Sequence, residues 1–168
     1  GAHRPFALRH NLIDQIKELK KLFPDYESYR NVTIEGMFDE EVLKSSNRQS
    51  VEELSSVVLW NEGSMNFVSE ELPRPAQLSP IYAIAVHDFD GDGDLDLVLG
   101  GNLHGAKPEV GRYDASYGLF LENRDDRNWS FYADNLGLKV EGQVRDLYVE
   151  EGQILFLRNS MPVQTFEF

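Results

Sequence analysis

The sequence of 168 residues contains no cysteine and only 16 basic residues against 29 acidic ones. Without cysteine the chain has no disulfide bond, no thiolate zinc site and no cysteine nucleophile. Its net charge of −13 repels phosphate backbones and anionic lipids, so we expect neither nucleic acid nor a membrane surface as a partner. No apolar run approaches the roughly 18 residues of a membrane span. With 41% hydrophobic residues, however, the chain can build a core.

Residues 1–50 carry a helical pattern. Apolar side chains recur three or four positions apart over residues 8–23, charged side chains lie between them, and Pro24 follows. This spacing predicts one amphipathic helix that ends before the proline. Asp39 predicts the start of a shorter helix, because its carboxylate can accept hydrogen bonds from the free amides of a first turn. We find no catalytic grouping in this stretch.

From Val51 onward, short apolar runs alternate with Gly, Asn, Asp and Pro, as is typical of strands and turns. Strands are predicted at residues 57–60, 81–86, 95–99, 119–121 and 154–157. Three stretches, starting at Val57, Leu119 and Leu155, repeat one pattern of apolar strand, Asn, tight turn and aromatic-bearing strand. Such a repeat indicates stacked β units. Residues 51–168 hold two to three units of roughly 40–50 residues, whereas a closed propeller needs about four or more.

The strongest chemical motif is a run of five carboxylates within nine residues, at Asp88, Asp90, Asp92, Asp94 and Asp96. Two carboxylates about 5 Å apart repel by roughly 1 kcal/mol in water, and by more where the effective dielectric is lower. An ordered turn that gathers five of them therefore needs a cation. Oxygen ligands and two flexible glycines suit Ca²⁺, whereas Mg²⁺ demands strict octahedral geometry. The sequence predicts a calcium site at these five residues, and the alternative is a solvated acidic loop.

The flanks of this run exclude an EF-hand. An EF-hand loop ends with a bidentate Glu, and the corresponding position counted from Asp88 is Leu99, which cannot bind a metal. Both flanks read as strands rather than helices. We therefore place the loop in a β-hairpin, with Asp96 as its last ligand.

Residues 88–97 resemble the calcium loop of FG-GAP/VCBS repeats, the blades of integrin-α-like β-propellers. Residues 111–118 and 163–168 are similar to the C-terminal part of large bacterial members, especially those of Bacteroidetes. The resemblance implies Ca²⁺ ligation by the side chains of Asp88, Asp90, Asp92 and Asp96 and by the backbone carbonyl of Asp94. The hairpin after Val51 lacks such a loop, and the last unit has Asp146 at the position equivalent to Asp88 without alternating carboxylates, so one site is expected.

The same resemblance implies a mainly β fold with an N-terminal helical segment. Residues 51–168 would form a partial β-propeller of about two to three antiparallel blades, and residues 1–50 a helical insert or edge cover. The expected function is a non-catalytic, calcium-stabilised scaffold of a larger exported protein, located outside the cell, on its surface or in the periplasm, that presents loops to a protein or glycan. The alternative is part of an exported carbohydrate-active enzyme whose catalytic site lies on missing blades.

Two further expectations concern surfaces. Arg112, Tyr113 and Asp114 form a polar cluster in a predicted loop, which either binds a ligand or is braced by an Arg112–Asp114 ion pair. The open strand edges of a partial propeller require a cover, since exposed edges promote aggregation. We expect this cover to come from the helix over residues 8–23, through Leu12, Ile16 and Leu19, or from a second copy in a homodimer. The remaining blades of the parent protein are a further expected partner.

Overall fold

The computed structural model describes residues 2–124, 127–131 and 137–168. The chain divides after Glu52 into two compact units, which are described separately. The first unit contains the helices α1 (Arg9–Gln15), α2 (Leu19–Leu22), α3 (Tyr26–Tyr29), α4 (Ile34–Met37) and α5 (Glu40–Ser45). The second contains a 3-10 helix (Arg74–Gln77) and the strands β1 (Val57–Asn61), β2 (Phe67–Glu71), β3 (Ile81–His87), β4 (Asp96–Gly101), β5 (Leu119–Arg124), β6 (Asn128–Ser130), β7 (Val144–Glu150), β8 (Gln153–Arg158) and β9 (Gln164–Glu167).

The prediction of one continuous helix over residues 8–23 is wrong, because the chain leaves helical geometry at Ile16 and forms α1 and α2 instead. Ile13 and Leu19 are both buried in one cluster with Phe23 and Met37. On a continuous helix, Ile13 and Leu19 would lie roughly a third of a turn apart. The break lets both side chains enter the same core. Leu12 and Ile16 also pack against this cluster, so the predicted stripe belongs to the core of its own unit.

Two helices of the first unit have side-chain N-caps, but neither is the helix for which the sequence predicted one. Asp39 is the N-cap residue of α5, as predicted, but its side chain makes no capping hydrogen bond. Asp25 and Thr33 instead cap α3 and α4, accepting hydrogen bonds from the backbone N–H groups of Ser28 and Gly36. In the part of the chain that the structure describes, no helix has the length and apolar character needed to cross a membrane.

The second unit is built from antiparallel sheets, and the prediction of a mainly β fold is confirmed. Strands β1 and β2 form a hairpin, β3 to β6 form a four-stranded sheet in chain order, and β7 to β9 form a three-stranded sheet in chain order. Each predicted strand run overlaps an observed strand. The three copies of the repeat are the hairpins β1–β2, β5–β6 and β8–β9.

Strand β4 is covered on both faces, since all six of its residues are buried. Val98 and its partner Phe120 enter a cluster with Val144, Ile154 and Phe156 from the three-stranded sheet. On the opposite face, the leucines of β4 and β5 enter a second cluster that includes Leu72, Ala76, Leu97, Leu99 and Leu121. A strand buried on both faces reads as a continuous apolar run. This burial places the first residue of β4, Asp96, inside the protein.

Candidate metal centre

The five predicted carboxylates lie in the loop that joins β3 to β4. His87, the last residue of β3, pairs with Asp96, the first residue of β4, so the acidic loop closes a hairpin as predicted. Gly91 and Gly93 have φ angles of +79° and +99°. Side-chain-bearing residues rarely adopt this left-handed region, and glycine enters it without steric cost. The two glycines therefore allow the sharp turn that brings the carboxylates together.

Hydrogen bonds within the loop tie its carboxylates to its own backbone. Asp88 accepts hydrogen bonds from the N–H groups of Gly91 at 2.7 Å and Gly93 at 3.1 Å. Asp90 accepts from the N–H of Asp92 at 3.1 Å, and Asp92 accepts from the N–H of Asp94 at 2.8 Å. Each of these bonds spans five residues or fewer. Short polar side chains commonly organise loops through such local bonds.

Asp96 anchors the loop to the core. Its exposed fraction is 0%, one carboxylate oxygen accepts the N–H of Phe89 at 3.0 Å, and the other accepts the N–H of Asn123 at 2.9 Å. Burial raises the pKa of Asp96 above its ordinary value, although these two N–H donors lower it. Asp96 thus joins the start of the loop to β5 across the sheet.

Two groups of carboxylates in this region can hold a metal ion. Asp88, Asp90 and Asp96 each offer an oxygen, and these oxygens lie within 4.8 Å of one another. Asp90, Asp92 and Glu122 form a second group under the same limit. Burial, together with the charges of Asp96, Asp92 and Glu122, raises the pKa of Asp90. The crowding of negative charge that the sequence implied is therefore present in the folded loop.

Four of the five predicted aspartate ligands have side chains in these two groups, and one does not. The side chains of Asp88, Asp90, Asp92 and Asp96 each belong to a group, whereas the side chain of Asp94 belongs to neither. The resemblance had assigned Asp94 its backbone carbonyl. Glu122 was not predicted, because it lies on β5 and far from the loop in sequence. The strand register could have indicated Glu122. Leu121 pairs with Leu97 in antiparallel strands, so Glu122 lies opposite Asp96.

The comparison of Asp146 with Asp88 is wrong. Asp146 lies within β7 and pairs with Leu157, so it is not at a hairpin end. The residue that follows β7, as Asp88 follows β3, is Glu151, and a two-residue turn leads directly into β8. Such a short connection has no room for an acidic ligand loop. The β7–β8 hairpin therefore lacks the counterpart of the acidic loop.

The loop that carries Arg112, Tyr113 and Asp114, predicted to bind a ligand or to be braced by an ion pair, is held by backbone hydrogen bonds. The N–H and C=O of Tyr113 pair with the C=O and N–H of Leu103, at 2.9 and 2.8 Å. Within the described ranges, no ion pair joins Arg112 to Asp114, and both residues are exposed. The bracing pair is therefore not what holds the loop. The Tyr113 side chain is 42% exposed, which leaves its ring accessible.

A polar cavity of about 180 Å³ adjoins this loop. Its walls include Asp114 from the predicted ligand loop and His104, Ser116 and Glu141. The Nε2 atom of His104 is buried and has no hydrogen-bond partner among the described residues. Asp114 thus borders a concave polar surface, whereas Tyr113 lies beside it in sequence.

Comparisons with known proteins identify no relative. No protein-family model, no curated protein and no solved structure matches the chain. The geometry of the acidic loop and the order of the strands therefore carry the functional proposal.

Proposed function

We propose that this chain is a calcium-stabilised, non-catalytic part of a β-propeller from a larger exported protein, which presents loops to a protein or glycan. The observation that carries the proposal is the group formed by Asp88, Asp90 and Asp96 at the β3–β4 loop, whose carboxylate oxygens lie within 4.8 Å of one another. Ligand oxygens of one Ca²⁺, at about 2.3–2.6 Å from the ion, lie at such separations from one another.

The ligand chemistry favours Ca²⁺ over other common cations. The candidate ligands are all carboxylates, and the described residues of both groups include no histidine. Oxygen-only sites suit hard cations, whereas imidazole and thiolate suit zinc and other transition metals. Ca²⁺ accepts about 6–8 oxygens in flexible geometry, while Mg²⁺ holds its water and requires an octahedral arrangement. A glycine-containing loop with several carboxylates matches the flexible oxygen coordination of Ca²⁺.

The strand order supports the propeller. A propeller blade is a four-stranded antiparallel sheet, and β3 to β6 have this form. The three-stranded sheet of β7 to β9 has the same chain order, and the β1–β2 hairpin carries the repeat that β5–β6 also carries. On this reading the chain supplies one full blade and parts of two others. The remaining blades of the parent protein then close the ring.

An exposed apolar strip on β3 supports the same reading. Tyr82, Ile84 and Val86 lie on one face of the strand and are exposed, whereas Ala83 and Ala85 on the other face are buried. The neighbouring strand β4 is covered on both faces. In a propeller, the strands of the preceding blade cover this apolar strip. The β1–β2 hairpin supplies only two of the four strands of that blade, so the strip stays exposed in this chain. For an exported protein, the expected affinity is that of extracellular calcium modules, with Kd values of roughly 10⁻⁴–10⁻³ M.

The first test measures thermal unfolding in Ca²⁺ and in EDTA. A ligand at about 100-fold its Kd stabilises the folded state by about 2.7 kcal/mol. For a domain of this size, that stabilisation raises the melting temperature by roughly 10 °C. Circular dichroism melts should show this rise with Ca²⁺ and a much smaller one with Mg²⁺.

Asp92→Ala should abolish the calcium-dependent rise, because it removes a loop ligand. Asp146→Ala is the matched control, since it removes an exposed carboxylate of the same unit outside the loop. It should keep the full rise. Superimposable melting curves in Ca²⁺ and EDTA for the unchanged chain would end the calcium proposal.

The second test concerns the ligand loop. Tyr113→Ala should weaken binding to a glycan or peptide array, because it removes the accessible ring. It should change the free energy of unfolding by only about 1 kcal/mol, since the residue is partly exposed and the backbone pairing with Leu103 persists. Tyr113→Phe, which retains the ring, is the control. Array binding that is the same for Tyr113→Ala and the unchanged chain would remove this loop from the proposal.

A further inference from the structure

Glu122 is a buried acidic residue, and one of its two carboxylate oxygens lacks a hydrogen-bond partner among the described residues. It lies on β5 with an exposed fraction of 8%. One oxygen, Oε1, is 2.9 Å from Nε of Arg124. The other, Oε2, is buried and has no hydrogen-bond partner in the described part of the chain. Leaving a buried charged oxygen unpartnered costs more than the roughly 1–3 kcal/mol of a neutral group, so Oε2 requires a positive or donating partner.

Besides Arg124, two further carboxylates lie close to Glu122. A carboxylate oxygen of Glu122 lies within 4.8 Å of oxygens from Asp90 and Asp92. Three carboxylates at this separation repel one another, and the repulsion grows as the effective dielectric falls. A cation between them reverses the sign of the interaction. Two oxygens bound to one Ca²⁺ at about 2.4 Å are at most about 4.8 Å apart, so the three groups can face one ion.

We propose that Glu122 is a cation ligand contributed by strand β5, acting with Asp90 and Asp92 of the loop. This inference rests on the proposed function, because two of the three carboxylates belong to the calcium loop. It extends that site beyond the loop, since neither the spacing of the aspartates nor the resemblance includes Glu122. The cation then joins the β3–β4 hairpin to β5, in addition to the hydrogen bond between Asp96 and the N–H of Asn123.

The test compares two variants of Glu122 by calorimetric Ca²⁺ titration of the full chain. Glu122→Gln keeps the volume and removes the charge, whereas Glu122→Asp keeps the charge and withdraws the carboxylate by one methylene. A ligand requires both charge and reach, so both variants should weaken Ca²⁺ binding by about tenfold or more. Glu150→Gln, an exposed substitution on β7, is the control and should bind like the unchanged chain.

Thermal unfolding supplies a second readout that a merely structural role would not produce. In EDTA, Glu122→Gln should melt at or above the temperature of the unchanged chain, because it removes the repulsion from Asp90 and Asp92 while its amide oxygen can still accept from Nε of Arg124. In saturating Ca²⁺, the same variant should melt below the unchanged chain, because it has lost a ligand. This reversal between the two conditions is expected only if the cation and Glu122 interact.

The outcomes separate this inference from the proposal beneath it. If the unchanged chain binds Ca²⁺ and Glu122→Gln binds it equally, Glu122 is not a ligand and the loop site stands. If Glu122→Asp binds like the unchanged chain while Glu122→Gln does not, charge alone matters, and ligation by Glu122 is refuted. If the unchanged chain shows neither binding nor a thermal shift, both the inference and the calcium proposal are overturned.

Discussion

Gly101→Ala is expected to destabilise the β unit by about 4 kcal/mol or more, which is the range of severe packing errors. A Cβ atom at this position would lie 1.8 Å from the carbonyl oxygen of Pro80 and 2.9 Å from its carbonyl carbon. These are backbone atoms beside the start of β3, so no side-chain rotation relieves the contact. The β3–β4 pairing must shift instead, and with it the strand ends that hold the acidic loop.

Urea denaturation followed by far-UV circular dichroism measures this effect. Gly105→Ala is the matched control, because a Cβ at Gly105 meets nothing within 4 Å and the backbone there does not need a positive φ. The control should change the free energy of unfolding by no more than about 0.5 kcal/mol. A Gly101→Ala midpoint close to that of the control would show that β3 can move aside without cost.

Asn102→Ala is expected to cost about 3–5 kcal/mol, since it removes four hydrogen bonds of a buried side chain at roughly 1 kcal/mol each and leaves their partners unsatisfied. The side chain has an exposed fraction of 2%. Its Nδ2 donates to the carbonyl oxygens of Ser116 at 2.6 Å and Gly142 at 2.8 Å. Its Oδ1 accepts from the N–H of Ser116 at 3.0 Å and from the hydroxyl of Ser79 at 2.7 Å. One side chain thus joins the segments that precede β3, β5 and β7.

Asn102 also has a positive φ of 82°, so two comparison variants separate the causes. Asn102→Gly loses the same hydrogen bonds but tolerates the backbone conformation, and it should be more stable than Asn102→Ala by about 1 kcal/mol. Ser79→Ala removes one hydrogen bond and should cost roughly 1 kcal/mol. Chemical denaturation of all three variants measures the differences. If Asn102→Ala lowers the free energy of unfolding by less than Ser79→Ala does, the Asn102 hydrogen bonds do not hold these segments together.

Local patterns predicted the acidic loop and the hairpins from the sequence. The loop depends on hydrogen bonds between near neighbours, such as those from Gly91 and Gly93 to Asp88, and on glycines at positive φ. Both features are properties of a few consecutive residues, so their signal is present in the order of Asp and Gly. The strands were predicted for a related reason, because a hairpin pairs residues that are close in sequence.

Helix continuity was not decided locally. The spacing of apolar residues favoured one helix, and no glycine or proline interrupts residues 8–23. The break at Ile16 serves the placement of Ile13 and Leu19 in one core. Propensity and periodicity are weak against such packing. The assignment of Asp146 failed for a similar reason, since its place in β7 depends on the register with β8.

The sequence by itself therefore determined the mainly β fold, the acidic loop and the carboxylates that the loop carries. The tertiary structure decided that Asp96 is buried, that Glu122 lies beside Asp90 and Asp92, and that Asn102 joins three segments. These facts depend on the pairing of β4 with β5 and on contacts between residues up to 40 positions apart. Periodicity reports which face of a strand is apolar, but it carries no information about which strand lies beside it.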